Sequence, residues 1–151
     1  MKPLFFGSSQ KPLFGLHTPP TGESGGRSAV VLCAPVGQEY MRSHRTLREL
    51  AGRLSQSGFH VLRFDYYGCG DSGGTALEGD LDQWTSDVGA AIDEARDGSG
   101  LDRVSLVGLR LGAALAARAS VRRTDLDRVV FWEPVVDGRG HLEEQLDLHR
   151  T

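Results

Sequence analysis

"RVSLVGLRLGAALAAR", residues 103–118, contains a buried strand, a tight glycine turn and a helix. The apolar run Val104–Val107 reads as the strand, and the alanine-rich stretch after Gly112 reads as the helix. Between them stands Gly108-Leu109-Arg110-Leu111-Gly112. A Gly-x-X-x-Gly frame at a strand-to-helix corner is the frame of a nucleophile elbow, where X is normally serine. Here X is Arg110. A guanidinium stays protonated, donates hydrogen bonds and cannot attack.

The same alternation runs outward from this stretch. "LFF" and "LFGL", flanking "GSSQKP", read as an antiparallel hairpin, and "HTPPTGESGGRS" reads as a surface connection. "AVVLCAP", "HVLRFDY", "RVSLVG" and "DRVVFWEP" are apolar strands. Helices are expected between and after them. The first starts at Ser43 as N-cap, buries Leu47, Leu50, Ala51 and Leu54, and stops at Gly58. The second puts Leu81, Trp84, Val88, Ala91, Ile92 and Ala95 on one face, the third covers residues 110–121, and the last puts Leu142, Leu146 and His149 on one side. Strand–helix alternation with strands apolar on both faces predicts an α/β fold: a mostly parallel sheet with helices on both faces. Ligands of such sheets bind beyond the carboxyl ends of the strands, which fall at Pro35, Asp65, Gly108 and Glu133.

Composition narrows the function classes. The 151 residues suit one domain with one core. A net charge of −3 gives no basic face for nucleic acid. Of 17 basic residues only Lys2 and Lys11 are lysine, which reads as a coding bias toward arginine. No apolar run approaches the roughly 20 residues of a membrane span, and the N-terminus lacks the apolar stretch of a secretory signal. Cys33 and Cys69 read as two reduced thiols rather than a disulfide, and neither has the company of a metal knuckle. A cytoplasmic protein with no metal and no cofactor is the expectation.

"GCGDSG", residues 68–73, satisfies Gly-x-Gly-x-x-Gly just after a strand. A dinucleotide site needs that turn to open directly into a helix. Here Gly74, Thr75, Gly79 and Asp80 intervene. The loop is therefore assigned to turns, and Cys69 and Ser72 within it to structural roles. Ser105 lies inside a strand and is assigned to packing.

Three stretches, "LCAPVGQEYMRSHRTLRELAGRLSQSGFHVLRFDYYGCGDSGG", "LVGLRLGA" and "FWEPVVDGRGHLEEQL", resemble the α/β-hydrolase fold. Within that fold they resemble the serine-aminopeptidase-like hydrolases that include the exosortase-A-associated hydrolases. The resemblance spans roughly residues 28 to 149 and implies ester or amide hydrolysis as the family chemistry. It also implies an oxyanion amide in the loop after the first parallel strand, from Val36 or Gly37, and another from Leu111. The fold places its catalytic acid and histidine after later strands, and this chain stops at Thr151, just past the fourth parallel strand. The acid and histidine are expected to be absent here. None of His17, His44, His60, His141 or His149 falls where that histidine would be. Conventional Ser-His-Asp catalysis is therefore not expected, and no residue is assigned as catalytic.

Arg110 begins a helix, where a cation is disfavoured by about 0.3–1 kcal/mol, so something negative should offset it. Three arrangements are open: an ion pair with Glu39 or Glu133; an anion site made of Arg110 and the amides of Leu111 and Gly112; or a side chain pointing outward. His44 and Arg45 are expected at the same edge. The ligand-binding candidates are thus Val36, Gly37, Glu39, His44, Arg110, Leu111 and Glu133, for a small acyl or anionic ligand. "RVVFWE" is expected to be an apolar sheet edge, shielded by the last helix or paired with a second copy or a complementing chain. Three functions follow: a hydrolase whose activity depends on missing segments, a silent relative that binds an acyl or anionic ligand, or an interaction module acting through its sheet edge.

Overall fold

The computed structural model describes residues 1–22 and 28–150, so part of the predicted surface connection, residues 23–27, lies outside the described residues. The described start of that connection is tied down, with Thr21 N donating to Ser55 O at 3.0 Å and Ser55 Oγ to Pro19 O at 2.6 Å. The described strands are β1 (Lys2–Gly7), β2 (Pro12–Thr18), β3 (Ala29–Cys33), β4 (His60–Phe64), β5 (Val104–Leu109) and β6 (Leu126–Trp132). They form one sheet in the order β1-β2-β4-β3-β5-β6. β1 and β2 make the expected antiparallel hairpin, β2 joins β4 antiparallel, and β4, β3, β5 and β6 run parallel.

Helix α1 (Gln38–Gln56) covers one face, and α2 (Leu81–Ser99) with α3 (Leu111–Ser120) covers the other. Side chains alternate across a strand, and β3 divides accordingly. Val30 and Leu32 pack with Leu47, Ala51 and Val61 on the α1 face, while Ala29, Val31 and Cys33 pack with Val88, Ala91, Ile92 and Leu115 on the other. All five β3 residues are buried, which is why this strand reads as continuously apolar. Each such aliphatic side chain contributes about 1.5–3 kcal/mol by leaving water.

Three helix details differ from expectation. α1 starts five residues before Ser43, with Gly37 in the N-cap position at φ 67°, ψ −138° and no side-chain cap. Glycine reaches that backbone region without a Cβ clash. Tyr40, packed on the α1-side core, donates its hydroxyl to Asp65 Oδ1 at 2.6 Å and anchors the extra turn. Ser43 lies inside the helix, its hydroxyl turned back to Tyr40 O at 3.3 Å. Leu81 is 48% exposed, because it is the first residue of α2, just after the Asp80 cap that accepts from Gln83 N at 2.7 Å. The last helix, α4 (Gly138–Arg150), buries no residue, and Leu142 and Leu146 stay exposed. It does not shield β6. It crosses the carboxyl rim toward α1, with Gln145 Nε2 3.4 Å from Glu39 Oε1 and His149 Nδ1 3.4 Å from Gln38 Nε2.

The glycine-rich loop after β4 folds back on β2. Gly68 N donates to Gly73 O at 2.7 Å, Gly73 N to Pro12 O at 2.8 Å, and Ser72 Oγ accepts from Phe14 N at 2.8 Å. The amides of Gly68, Cys69, Asp71, Ser72 and Gly73 are all spent on protein oxygens.

Candidate functional site

Strand β5 ends at Leu109 and α3 begins at Leu111, so Arg110 alone makes the corner, at φ 55°, ψ −119°. The corner is this tight because both bracketing glycines lie against main chain. A Cβ on Gly108 would stand 2.6 Å from Ala113 N, and one on Gly112 would stand 2.6 Å from Ala34 O and closer still to Cys33 O. The backbone of Arg110 is clamped to the segment after β6. Its N–H donates to Trp132 O at 3.0 Å, and its carbonyl accepts from Val135 N at 3.3 Å.

The guanidinium lies on the carboxyl rim, about a quarter exposed, and meets three groups. Nε donates to Glu39 Oε1 at 3.2 Å, Nη1 to the Glu133 main-chain carbonyl at 3.3 Å, and Nη2 pairs with Glu144 Oε2 at 3.5 Å. Of the two predicted acidic partners, Glu39 pairs through its carboxylate and Glu133 contributes only its carbonyl. Glu144 and Gln145 were not legible in the sequence, since no spacing rule says where a terminal helix lands. Glu39 Oε2 is buried without a hydrogen-bond partner among the described residues.

The candidates fall into three neighbouring hollows. Glu39, Arg110 and Glu133 line a groove of about 430 Å³ with Pro35, Arg42, Ser43, Thr46, Leu109 and Trp132. Val36 and Gly37 line a second, of about 200 Å³, with Tyr66, Cys69 and Gly70, and Pro35 stands between the two. His44, in edge contact with the Tyr40 ring at 6.0 Å, lines a third, of about 100 Å³, with Arg63, Asp65 and Asp71. His44 thus lines a different hollow from Arg110, while its α1 neighbours Arg42, Ser43 and Thr46 line the Arg110 groove. Leu111 packs on the α2/α3 side, and as the first residue of α3 its N–H has no intrahelical acceptor.

Burial first, then Asp65 and Asp87, raises the Cys69 thiol above its ordinary value, which keeps it neutral. Burial pushes the Cys33 thiol up to about 12. Ser72 Oγ is spent on Phe14 N and Asp65 O. Ser105 is half-buried in β5. His17 and His60 pair with each other at 3.1 Å, and His60 opens β4, at the amino ends of the parallel strands. His141 is nearer, in a hollow of about 180 Å³ with Arg110, Asp137 and Glu144, its Nδ1 buried and unpartnered among the described residues. The side chain beside it at position 110 is a guanidinium rather than a hydroxyl. Among the described residues no group of three or more His, Cys, Asp or Glu is placed to hold a metal ion, and no helix is long and apolar enough to cross a membrane.

A hairpin feeding a parallel sheet, with a strained strand-to-helix corner after β5, defines an α/β-hydrolase-like protein. Residues 26–148 match the family described as serine aminopeptidase, S33, and the chain belongs to it. Among curated proteins it is 32% identical over 100 residues to the human mitochondrial palmitoyl-protein thioesterase ABHD10, covering 66% of this chain and 31% of that protein. It is 40% identical over 78 residues to human protein ABHD12B, covering 52% and 20%. The chain thus spans about a third or less of the curated relatives it matches. Among solved structures, an alpha-beta serine hydrolase homologue from Coxiella burnetii superposes with a TM-score of 0.77 at 20% identity, over 93% of this chain and 66% of that one. Hypothetical protein PA2218 from Pseudomonas aeruginosa gives 0.75 at 22% identity, over 99% and 52%.

Proposed function

We propose that this chain uses the corner at residue 110 to bind a small carboxylate or acyl-derived anion rather than to cleave an ester. The observation that carries this reading is the guanidinium of Arg110, seated where the family's attacking serine belongs, on the rim of the 430 Å³ groove. Groove volumes of this order suit small ligands. Glu144 supports the choice of a carboxylate. It is a carboxylate held against Nη2 at the longest of the three contacts, with its side chain 67% exposed, so a ligand can take its place at small cost. Glu39 holds Nε at 3.2 Å. Arg42 adds a second cation, and Leu109, Pro35 and Trp132 offer apolar surface to a short acyl chain. The amides of Leu111 and of Val36 or Gly37 are the candidates for a second ligand oxygen. We place the protein in the cytoplasm, supported by its two free cysteines.

Titration of straight-chain carboxylates by calorimetry tests this. A charge-assisted hydrogen bond contributes about 1.5–3 kcal/mol, so Arg110→Ala should weaken binding by about ten-fold to a hundred-fold. Unchanged affinity in a folded Arg110→Ala protein refutes the site. A second reading, ester or thioester hydrolysis, is favoured by membership of a hydrolase family and by the thioesterase among the relatives. It requires fluorophosphonate labelling and turnover of short acyl esters by the unaltered chain, whereas the binding reading expects neither.

A further inference from the structure

We propose that the hollow between α1 and the β2 and β4 strands binds a small zwitterion, an α-amino acid of the size of glycine or alanine, with its carboxylate on Arg63 and its ammonium on Asp65. The hollow measures about 100 Å³ and shares no lining residue with the Arg110 groove. β2 supplies Phe14 and Leu16, β4 supplies Arg63, and α1 supplies Tyr40, His44 and Leu47. Every lining residue falls between positions 14 and 71, so the walls belong to the hairpin side of the sheet, away from β6.

Two charges facing this hollow lack a counter-ion. Arg63 is half-buried and makes no ion pair among the described residues. Its Nε is buried without a hydrogen-bond partner, and its Nη2 reaches only the Met1 thioether sulfur, a weak acceptor, at 3.3 Å. Arg48, one turn beyond His44 on α1, is exposed and likewise unpaired among the described residues. Burial, and then the charge of Arg48, hold the Arg63 guanidinium below its ordinary value. At the other wall, Asp65 is 8% exposed and has no ion pair among the described residues. Its oxygens accept from neutral donors, Oδ1 from the Tyr40 hydroxyl at 2.6 Å and Oδ2 from Asp71 N at 2.9 Å, which leaves each a free lone pair. Asp65 acts on Arg63 through space, without an ion pair.

The two charges also set the class of ligand. Residues i and i+2 of extended chain share a face and stand about 7 Å apart. Arg63, in β4, and Asp65, just past its end, have that relation, and both line the hollow. A bare anion at Arg63 would share the hollow with the carboxylates of Asp65 and Asp71, and a bare cation at Asp65 would share it with Arg63. A molecule carrying both charges a few bonds apart neutralises each wall, and a buried charge is tolerated when it is paired and hydrogen-bonded. At about 30 Å³ per water the space holds about three waters, which suits glycine or alanine and no long side chain. The apolar walls, Phe14, Leu16, Leu32 and Leu47, lower the local dielectric and strengthen both charged contacts.

Titration of the isotope-labelled chain with glycine, followed by amide chemical shifts, tests the proposal, with acetate and methylamine as probes that each carry one of the two charges. Saturable shifts at Phe14, Leu16, Leu32 and Leu47 are expected, with glycine bound at least about ten-fold more tightly than either probe. Arg63→Met keeps the apolar stem and loses the guanidinium, and should weaken glycine binding by about ten-fold or more while circular dichroism stays unchanged. Leu16→Phe, which narrows the hollow and leaves both charges in place, should weaken it as well. Four outcomes overturn the proposal: no saturable shift with glycine; acetate or methylamine bound as tightly as glycine; glycine-dependent shifts confined to Leu109 and Trp132, in the Arg110 groove; or a folded Arg63→Met or Leu16→Phe protein that binds glycine as the unaltered chain does.

Discussion

Arg110→Ala and Arg110→Gly, compared with each other, separate what the backbone of this residue does from what its guanidinium does. The backbone lies at φ 55°, ψ −119°, a region that crowds any L side chain and leaves glycine at ease. Holding a side chain there costs on the order of 1–3 kcal/mol. The guanidinium meets Glu39 at 3.2 Å, with the two side chains 27% and 21% exposed. That pair stands between an exposed one, worth about 0–1 kcal/mol, and a buried one, whose breakage costs about 3–5, so its loss is set at about 1–2 kcal/mol. Arg110→Ala loses the pair and keeps the strain, and should be less stable than the unaltered chain by that amount. Arg110→Gly loses both, and the relief is offset by about 0.5–1 kcal/mol for the greater freedom of unfolded glycine. Taking the middle of each range, the glycine variant should therefore exceed the alanine variant by about 1 kcal/mol, or about 2–4 °C in Tm for a chain of this size. Urea unfolding followed by circular dichroism, at constant m value, measures the difference. Equal stabilities, or alanine above glycine, would refute the claim that residue 110 is strained.

Gly112→Ala should destabilise by about 1–3 kcal/mol or more in the same assay, since its Cβ meets main-chain oxygens of Cys33 and Ala34 that side-chain movement cannot clear. Gly52→Ala, inside α1 with nothing within 4 Å of the new Cβ, should stabilise by about 0.5–1 kcal/mol. Tyr66→Phe should cost about 1–2 kcal/mol, because the buried Tyr66 hydroxyl donates to Ala34 O at 2.8 Å and that carbonyl would lose its partner. His17 and His60 share one hydrogen bond at 3.1 Å. Burial holds both below the ordinary value of 6.5, with His60, Lys2 and the N-terminus adding to the effect at His17. The unfolded chain therefore takes up these protons first, so stability is flat above that value and falls as pH drops from 6.5 through the lower folded values. His17→Gln should flatten this slope in thermal melts recorded across the window, and an unchanged slope would contradict it.

Local chemistry made the scaffold legible in the sequence. The apolar runs of β3 and β5 mark strands covered on both faces, and Gly108 and Gly112 mark the corner, because strand period, helix period and glycine's freedom act over a few neighbouring residues. The start of α1 was less legible. Ser43 is the better cap by residue type, but Tyr40 reaching Asp65, 25 positions along the chain, holds the helix open at Gly37. The partners of Arg110 show the same division. Which residue sits at the corner is written in the sequence, and so is the need for a negative neighbour at a helix N-terminus. That Glu39 supplies it, that Glu133 offers only its carbonyl, and that Glu144 arrives from α4 were decided by how rigid elements pack. Those contacts join residues 71, 23 and 34 positions apart, where no local periodicity constrains direction and only the assembled sheet sets which side chains meet.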